Sequence, residues 1–190
     1  LANLPVDNLE RIEVFRGPAT ADVGLGNVVG LINLVTRTDP GFRASASGGL
    51  YLNFDGHLNG AVALGPVKLH ADADVAYQKG NPLPVAKDAL DSATSTRSKS
   101  TNDQRLLVNA GLGVSIDLDS AGTIDASGRV LYEDRAALIG LFDVVGNDSR
   151  LTWLTVQAHA GWRKALDGGG QLSVRGWFNQ QSTDRLFQLA

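Results

Sequence analysis

From Phe42 onward apolar and polar residues alternate along the chain, regularly enough to be counted. Phe42, Ala44, Ala46, Gly48, Leu50, Leu52 and Phe54 stand against Arg43, Ser45, Ser47, Gly49, Tyr51 and Asn53. Leu58, Gly60, Val62 and Leu64 then oppose His57, Asn59, Ala61 and Ala63. Val67, Leu69, Ala71, Ala73, Val75 and Tyr77 oppose Lys68, His70, Asp72, Asp74, Ala76 and Gln78. Four further runs repeat the pattern, from Leu106 to Ile116, Ile124 to Tyr132, Leu154 to Arg163 and Leu172 to Asn179. A period of two belongs to a strand whose faces meet different surroundings. Seven such runs predict one antiparallel sheet.

The connections carry a second regularity. Gly65-Pro66, Asp117 to Gly122 and Leu166 to Gly170 follow the second, fourth and sixth runs, and all are short. The third run is followed by Lys79 to Asp103, with two prolines and a Ser/Thr-rich tract, and the fifth by Asp134 to Arg150. Short turns at one end of a sheet and long loops at the other describe an outer-membrane barrel. Asp55-Gly56 reads as the first connection; it is short, although it belongs to the end with the long loops.

Charge then separates the faces. Arg43, Lys68, His70, Asp72, Asp74, Arg105, Asp125, Arg129, Glu133, His159, Arg163 and Arg175 share the polar one. Their ionised members are costly to place in hydrocarbon, so that face is expected to meet water. The apolar face is rich in Ala and Gly and would make a thin core against a second sheet. It is expected to meet lipid, with Phe54, Tyr77, Tyr132, Trp153, Trp162 and Phe178 as candidates for interfacial aromatic girdles. No apolar run approaches the length of a spanning helix, which leaves a barrel open, because barrel strands need only about 9–11 residues.

Composition removes other classes. The 190 residues include no Cys, which excludes disulfide frameworks, thiolate metal sites and cysteine nucleophiles. Seventeen basic against 20 acidic residues give a net charge of −3, without the basic excess of a nucleic-acid binder. There is no Met and the first residue is Leu1, so the chain is read as a piece of a longer or processed protein.

The first forty residues differ. LERIEVF, residues 9–15, alternates apolar residues with charges, and VVGLINLVT, residues 28–36, is nearly all apolar. A glycine-rich stretch, RGPATADVGLGN, joins them. Gly24, Gly26 and Gly30 are spaced one residue too long for a dinucleotide fingerprint, and an apolar run follows where a helix is required. The glycines therefore read as backbone freedom.

LPVDNLERIEVFRGP at residues 4–18, then Gly24, Gly26, Gly30 and LINLVTR at 31–37, resembles the C-terminal half of the plug domain of TonB-dependent outer-membrane receptors. That family's pattern reads IERIEVLRGP, then LYGSGAxGGVINIxTK, and runs at once into the first barrel strand. Val23 stands where the family usually has Tyr, and Val29 where a second Gly is common. The resemblance implies an all-β fold: residues 1–39 as the C-terminal part of a plug domain, and 40–190 as about seven N-terminal strands of a transmembrane antiparallel β-barrel. The whole barrel would have roughly 22 strands. It also implies the outer membrane of a Gram-negative bacterium, with lipid around the barrel, and energy-coupled uptake of a scarce nutrient. Ferric siderophores are the commonest cargo of the family; cobalamin, haem and saccharides are others. The TonB energy-coupling complex would be reached through a segment not in this chain. No cofactor, resident metal or nucleic acid is expected.

The resemblance also nominates residues. Arg11, Glu13 and Arg16 lie where relatives form ionic contacts between plug and barrel wall, and Asp72, Asp74, Arg129 and Glu133 are candidate wall partners. Relatives hold cargo at plug apices, upper wall and extracellular loops. That makes Asp22 and Val23 of the 19–27 loop, the 79–103 loop, and Tyr77, Tyr132 and Trp177 ligand-facing candidates. His57, His70 and His159 fall on separate strands without ligand-like spacing, and neither GxSxG nor HExxH occurs, so no enzyme is expected. Two alternatives stay open: a barrel of another kind, such as a porin or adhesin, which would lack the signature at 9–37, and a soluble all-β binding module, which would bury the apolar face on a second sheet.

Overall fold

The structure is a computed structural model that describes residues 9–16, 30–37, 39–80, 104–136 and 149–186. The chain divides into two compact units, Leu1–Asp39 and Pro40–Ala190. All regular structure among the described residues is antiparallel strand, apart from one 3-10 turn at Asp119–Ala121.

In the first unit β1 (Leu9–Arg16) pairs with β2 (Gly30–Thr36), from Arg16 opposite Gly30 to Leu9 opposite Thr36, with an irregularity between Leu9 and Arg11. Alternation puts Arg11 and Glu13 on one side of β1, where they form an ion pair at 2.7 Å. Arg11 also reaches Glu10 at 2.7 Å. Its guanidinium is pushed up from its usual range, chiefly by the hydrogen bond to Glu13 and that residue's charge. Arg37 Nε closes the hairpin's open end by donating to the Leu9 carbonyl oxygen at 2.9 Å.

The second unit is one sheet of β3 (Gly41–Gly49), β4 (Asn53–Leu64), β5 (Val67–Gln78), β6 (Arg105–Asp117), β7 (Thr123–Ala136), β8 (Arg150–Ala165) and β9 (Gln171–Leu186). Each strand pairs only with its sequence neighbours, in the order β3 to β9. All six ladders run without a bulge, so every row keeps its character across the sheet. One row reads Phe42, Gly60, Ala71, Leu112, Gly128, Ala158, Phe178; the row beside it reads Arg43, Asn59, Asp72, Gly111, Arg129, Gln157, Asn179.

Burial is inverted relative to a water-soluble domain. On the apolar face Phe42, Leu112 and Val174 are 73%, 68% and 61% exposed, whereas Asp74, Asn109 and Glu133 on the polar face are 3%, 1% and 2% exposed. Substantial contacts between elements run only between neighbouring strands, so no second layer covers the apolar face among the described residues. On β5 the apolar side extends from Val67 to Tyr77, about 33 Å at ~3.3 Å per residue. A strand tilt of roughly 40° reduces this to about 25 Å, the height of the lipid-facing band of an outer-membrane barrel. The band is bounded on β7 and β8 by the Asp134–Arg150 ion pair at 2.7 Å on one side and by Lys164 on the other.

Three expectations are corrected. The first connection is not Asp55-Gly56, which lies inside β4, but the three residues Leu50, Tyr51 and Leu52, with Gly49 opposite Asn53. Trp153 is not on the apolar side: it faces Glu133 on the polar side, with Arg135 stacked on its ring. Phe178 is apolar-facing but mid-strand, opposite Ala158, because β9 continues to Leu186. The other girdle candidates sit near the margins of the band. Trp162 among them donates its indole N–H to the Ala121 carbonyl oxygen at 2.9 Å, tying β8 to the β6–β7 turn. That turn needs Gly122, whose φ is +97° and whose Cβ, were there one, would overlap the Arg163 carbonyl oxygen.

Candidate functional site

The polar face carries the chemistry of the molecule. Asp72 and Asp74 leave β5 on the same side because they are two residues apart, and Asn109 of β6 lies opposite Asp74 in the ladder. Asn109 Nδ2 donates to Asp74 Oδ2 at 2.6 Å, and His57 Nδ1 of β4 lies 2.8 Å from Asp74 Oδ1. Arg129 reaches over from β7. Its Nη1 donates to Asn109 Oδ1 at 2.9 Å and its Nη2 to Asp72 Oδ1 at 2.8 Å. Five side chains from four neighbouring strands thus form one hydrogen-bonded chain lying flat on the sheet.

Gly111 makes that geometry available. It stands between Asp72 and Arg129 in their shared row, and a Cβ there would come within 2.7 Å of Arg129 Nη2 and 2.8 Å of Asp72 Oδ1. The same device recurs twice: the His70 ring occupies the space a Cβ on Gly113 would need, and Asp125 Oδ2 lies 3.0 Å from the Cβ position of Gly161. On this face glycine opens a track for a neighbouring polar side chain. Among the described residues two buried side-chain oxygens have no hydrogen-bond partner, Asp72 Oδ2 within this network and Asn53 Oδ1 at the start of β4.

Two further ion pairs flank the chain. Arg105 Nε donates to Glu133 Oε1 at 3.0 Å, and Glu133 is 2% exposed. His159 Nδ1 lies 3.3 Å from Asp125 Oδ2. At the end of the sheet from which the long connections leave, Arg105, Arg135 and Arg185 occupy one row, with Leu151 between the last two.

Of the predicted wall residues, Asp72, Asp74 and Arg129 are brought into one network, while Glu133 joins Arg105 instead. Arg11, Glu13 and Arg16 belong to the other unit, where Arg11 and Glu13 pair with each other. Asp22 and Val23, with the rest of 17–29 and 81–103, lie outside the described residues. Tyr77 and Tyr132 fall on the apolar side, whereas Trp177 is on the polar side opposite His159. Sequence reasoning missed Asn109, His57, Arg105 and Gly111. Their signal was available only as membership of the polar register, because nothing short-range links Asp74 to a residue 35 positions away.

No protein-family model matches the chain, and no solved structure does. A stretch of 54 residues, 28% of the chain, is 41% identical to the ferric enterobactin receptor of Pseudomonas aeruginosa and covers 7% of that protein. The chain thus spans a small fraction of the length of the relative it matches. Over that stretch, what it is similar to is a receptor for an iron complex.

Proposed function

We propose that this chain is part of a TonB-dependent outer-membrane receptor, with residues 1–39 as the C-terminal part of its plug and 40–190 as the first strands of its barrel. One observation carries the reading: a seven-stranded sheet exposes Phe42, Leu112, Val174 and most other large apolar residues of one face while burying Asn59, Asp72, Asp74, Asn109 and Glu133 on the other. That distribution is stable only where hydrocarbon lies on one side and water or polar protein on the other. The ERIEVFRGP stretch and the local similarity to a ferric enterobactin receptor favour a plugged receptor over a porin or adhesin. They also favour a ferric siderophore as the cargo.

In this reading the polar face is the water-facing inner wall of the barrel. A plug held by polar contacts can part from the wall as water replaces them, which a continuous apolar interface would resist. With the apolar face outward, Tyr77 and Tyr132 belong to the lipid girdle. Trp177, although on the water side, lies in the row of His159, His70 and Gly41 toward the short-turn end and not at an upper strand end, so Asp22 and Val23 of the plug loop remain as the ligand-facing candidates.

Site-specific labelling tests the face assignment. Single substitutions Leu112→Cys, Val130→Cys, Ser127→Cys and Thr155→Cys are introduced into the intact protein, labelled with a fluorophore, and reconstituted with lipids carrying a quencher in their tails. Strong quenching is expected at 112 and 130 and weak quenching at 127 and 155. Equal quenching at all four, or an intact protein that stays monodisperse in buffer without detergent, would falsify the membrane reading.

A further inference from the structure

The outward face of β9 is apolar for only half its length. Leu172, Val174 and Phe178 give way to Gln180, Ser182 and Asp184, all of them exposed. Gln180 nevertheless shares its row with Leu58, Ala73, Ala110, Val130 and Val156. If that row lay parallel to the membrane, a carboxamide would stand in hydrocarbon with no water to satisfy it.

The short turns show that the rows are inclined. Leu64 and Val67 close the first turn in the row of Ile116, Ile124 and Trp162. The second is closed by Leu118, two residues past Ile116, whose backbone N–H donates to the Gly122 carbonyl oxygen at 2.8 Å. The third is closed by Leu166, four residues past Trp162, whose N–H donates to the Gly170 carbonyl oxygen at 2.8 Å. Each hairpin thus reaches about 6.6 Å further along the strand for every 9.6 Å, roughly, across the sheet. That stagger is a strand tilt of roughly 35°, within the range of outer-membrane barrels, and it brings the three turns to one level.

The same diagonal runs through the opposite margin. On the apolar face Tyr132 of β7 stands one row below Tyr77 of β5, and Gln180 of β9 one row below Tyr132. The tilt therefore sets these three side chains at one level, about 28 Å from the short turns, close to the height of a lipid-facing band. Tyrosine favours the edge of the hydrocarbon, where an amide is also hydrated. We infer that the sheet crosses the bilayer at this tilt, and that its outward face beyond Tyr77, Tyr132 and Gln180 docks the polar headgroups of the outer leaflet. This rests on the receptor reading above and adds to it what that part of the wall touches.

The chemistry beyond the line suits headgroups. Ser182 lies about 5 Å past Gln180 and Asp184 about 11 Å past it, while a headgroup layer is roughly 5–8 Å deep. Gln180, Ser182 and Thr152 offer neutral donors and acceptors that answer ester and phosphate oxygens. Asp134 and Arg150 neutralise each other at 2.7 Å. Asp184, the one acid without a cation opposite it in the register, stands where the strand has reached water.

The test reads depth. Leu58→Cys, Val174→Cys, Gln180→Cys and Ser182→Cys are made singly in the intact protein, labelled with a fluorophore, and reconstituted in phosphatidylcholine vesicles carrying a nitroxide either on the headgroup or at mid-chain. The unsubstituted protein supplies the background. The mid-chain nitroxide is expected to quench better at 58 and 174, and the headgroup nitroxide better at 180 and 182. Leu58 and Gln180 share a row, yet the tilt separates them in depth by about 14 Å. Should Leu58→Cys fail to assemble, Ala73→Cys in the same row replaces it, with a separation of about 11 Å. Equal depths for the two ends of the row overturn the inference. So does a label at 180 that neither nitroxide reaches, because protein or bulk water then covers that surface. If the labels at 58 and 174 also escape both nitroxides, the membrane reading beneath it fails instead.

Discussion

Gly111 shows how much can depend on a side chain that is not there. Arg129 crosses β6 above it to reach Asp72, and a substituent at this position meets both ends of that ion pair. Alanine is expected to be mild, because the guanidinium can shift by a few tenths of an ångström. Valine should displace Arg129 and strand the buried Asp72, costing about 1–3 kcal/mol. Urea unfolding in lipid vesicles would measure both. If the network is real, Arg129→Gln and Asp72→Asn will be non-additive, the double variant losing less than the sum of the singles. These residues were only half legible in the sequence. Alternation placed Asp72, Asp74, Arg129 and Glu133 on the wet face, but which of them touch depends on the β5–β6 register. That register is set across the long 79–104 connection, whose length constrains nothing.

Register is also where the strand pattern held more information than its turn signals. Asp55-Gly56 has hairpin chemistry, yet a two-residue turn there would set Phe54 opposite His57 and Leu52 opposite Asn59, apolar against polar. The apolar positions are even on both sides of the connection, from Phe42 to Leu64, and only an odd-length turn can join strands of equal parity. The three residues 50–52 do so, at the cost of φ near +63° at Tyr51 and +55° at Leu52, a region non-glycine residues seldom enter. At Gly65-Pro66 parity switches and the turn has two residues, as the same arithmetic requires. The face assignment has a direct test in folding into vesicles. Val130→Arg, mid-band on the apolar side, should cost about 2–4 kcal/mol, whereas Ser127→Arg on the polar side should cost little. Comparable losses at both positions would contradict the assignment.

At the scale of the molecule, burial grades across the sheet. The central strands β5 to β7 hold most of the buried polar groups, while β3 and β9 are exposed along almost their whole length. Both edge strands present unpaired backbone groups, on alternate residues along the sixteen of β9, with no bulge or proline to blunt the edge. Such edges are an aggregation hazard in water, and a closed barrel abolishes them. The two-sidedness of the sheet was visible in the sequence because lipid and water impose opposite demands on alternate residues. The placement of Trp153 on the wet side follows from the same alternation, since Leu154 beside it belongs to the apolar set; aromatic character alone had suggested the girdle.

The six bulge-free ladders bear on how such a gene can change length. Deleting the single codon for Ala110 would turn half of β6 over, driving Asn109 or its neighbours into oil, so the product should fail to reach its heat-modifiable folded form on gels. An epitope tag spliced into the β5–β6 connection shifts no residue from one side to the other and should be tolerated. Insertions and deletions in homologous genes ought therefore to gather at the 79–104 and 137–149 stretches, or to come in pairs within the strands.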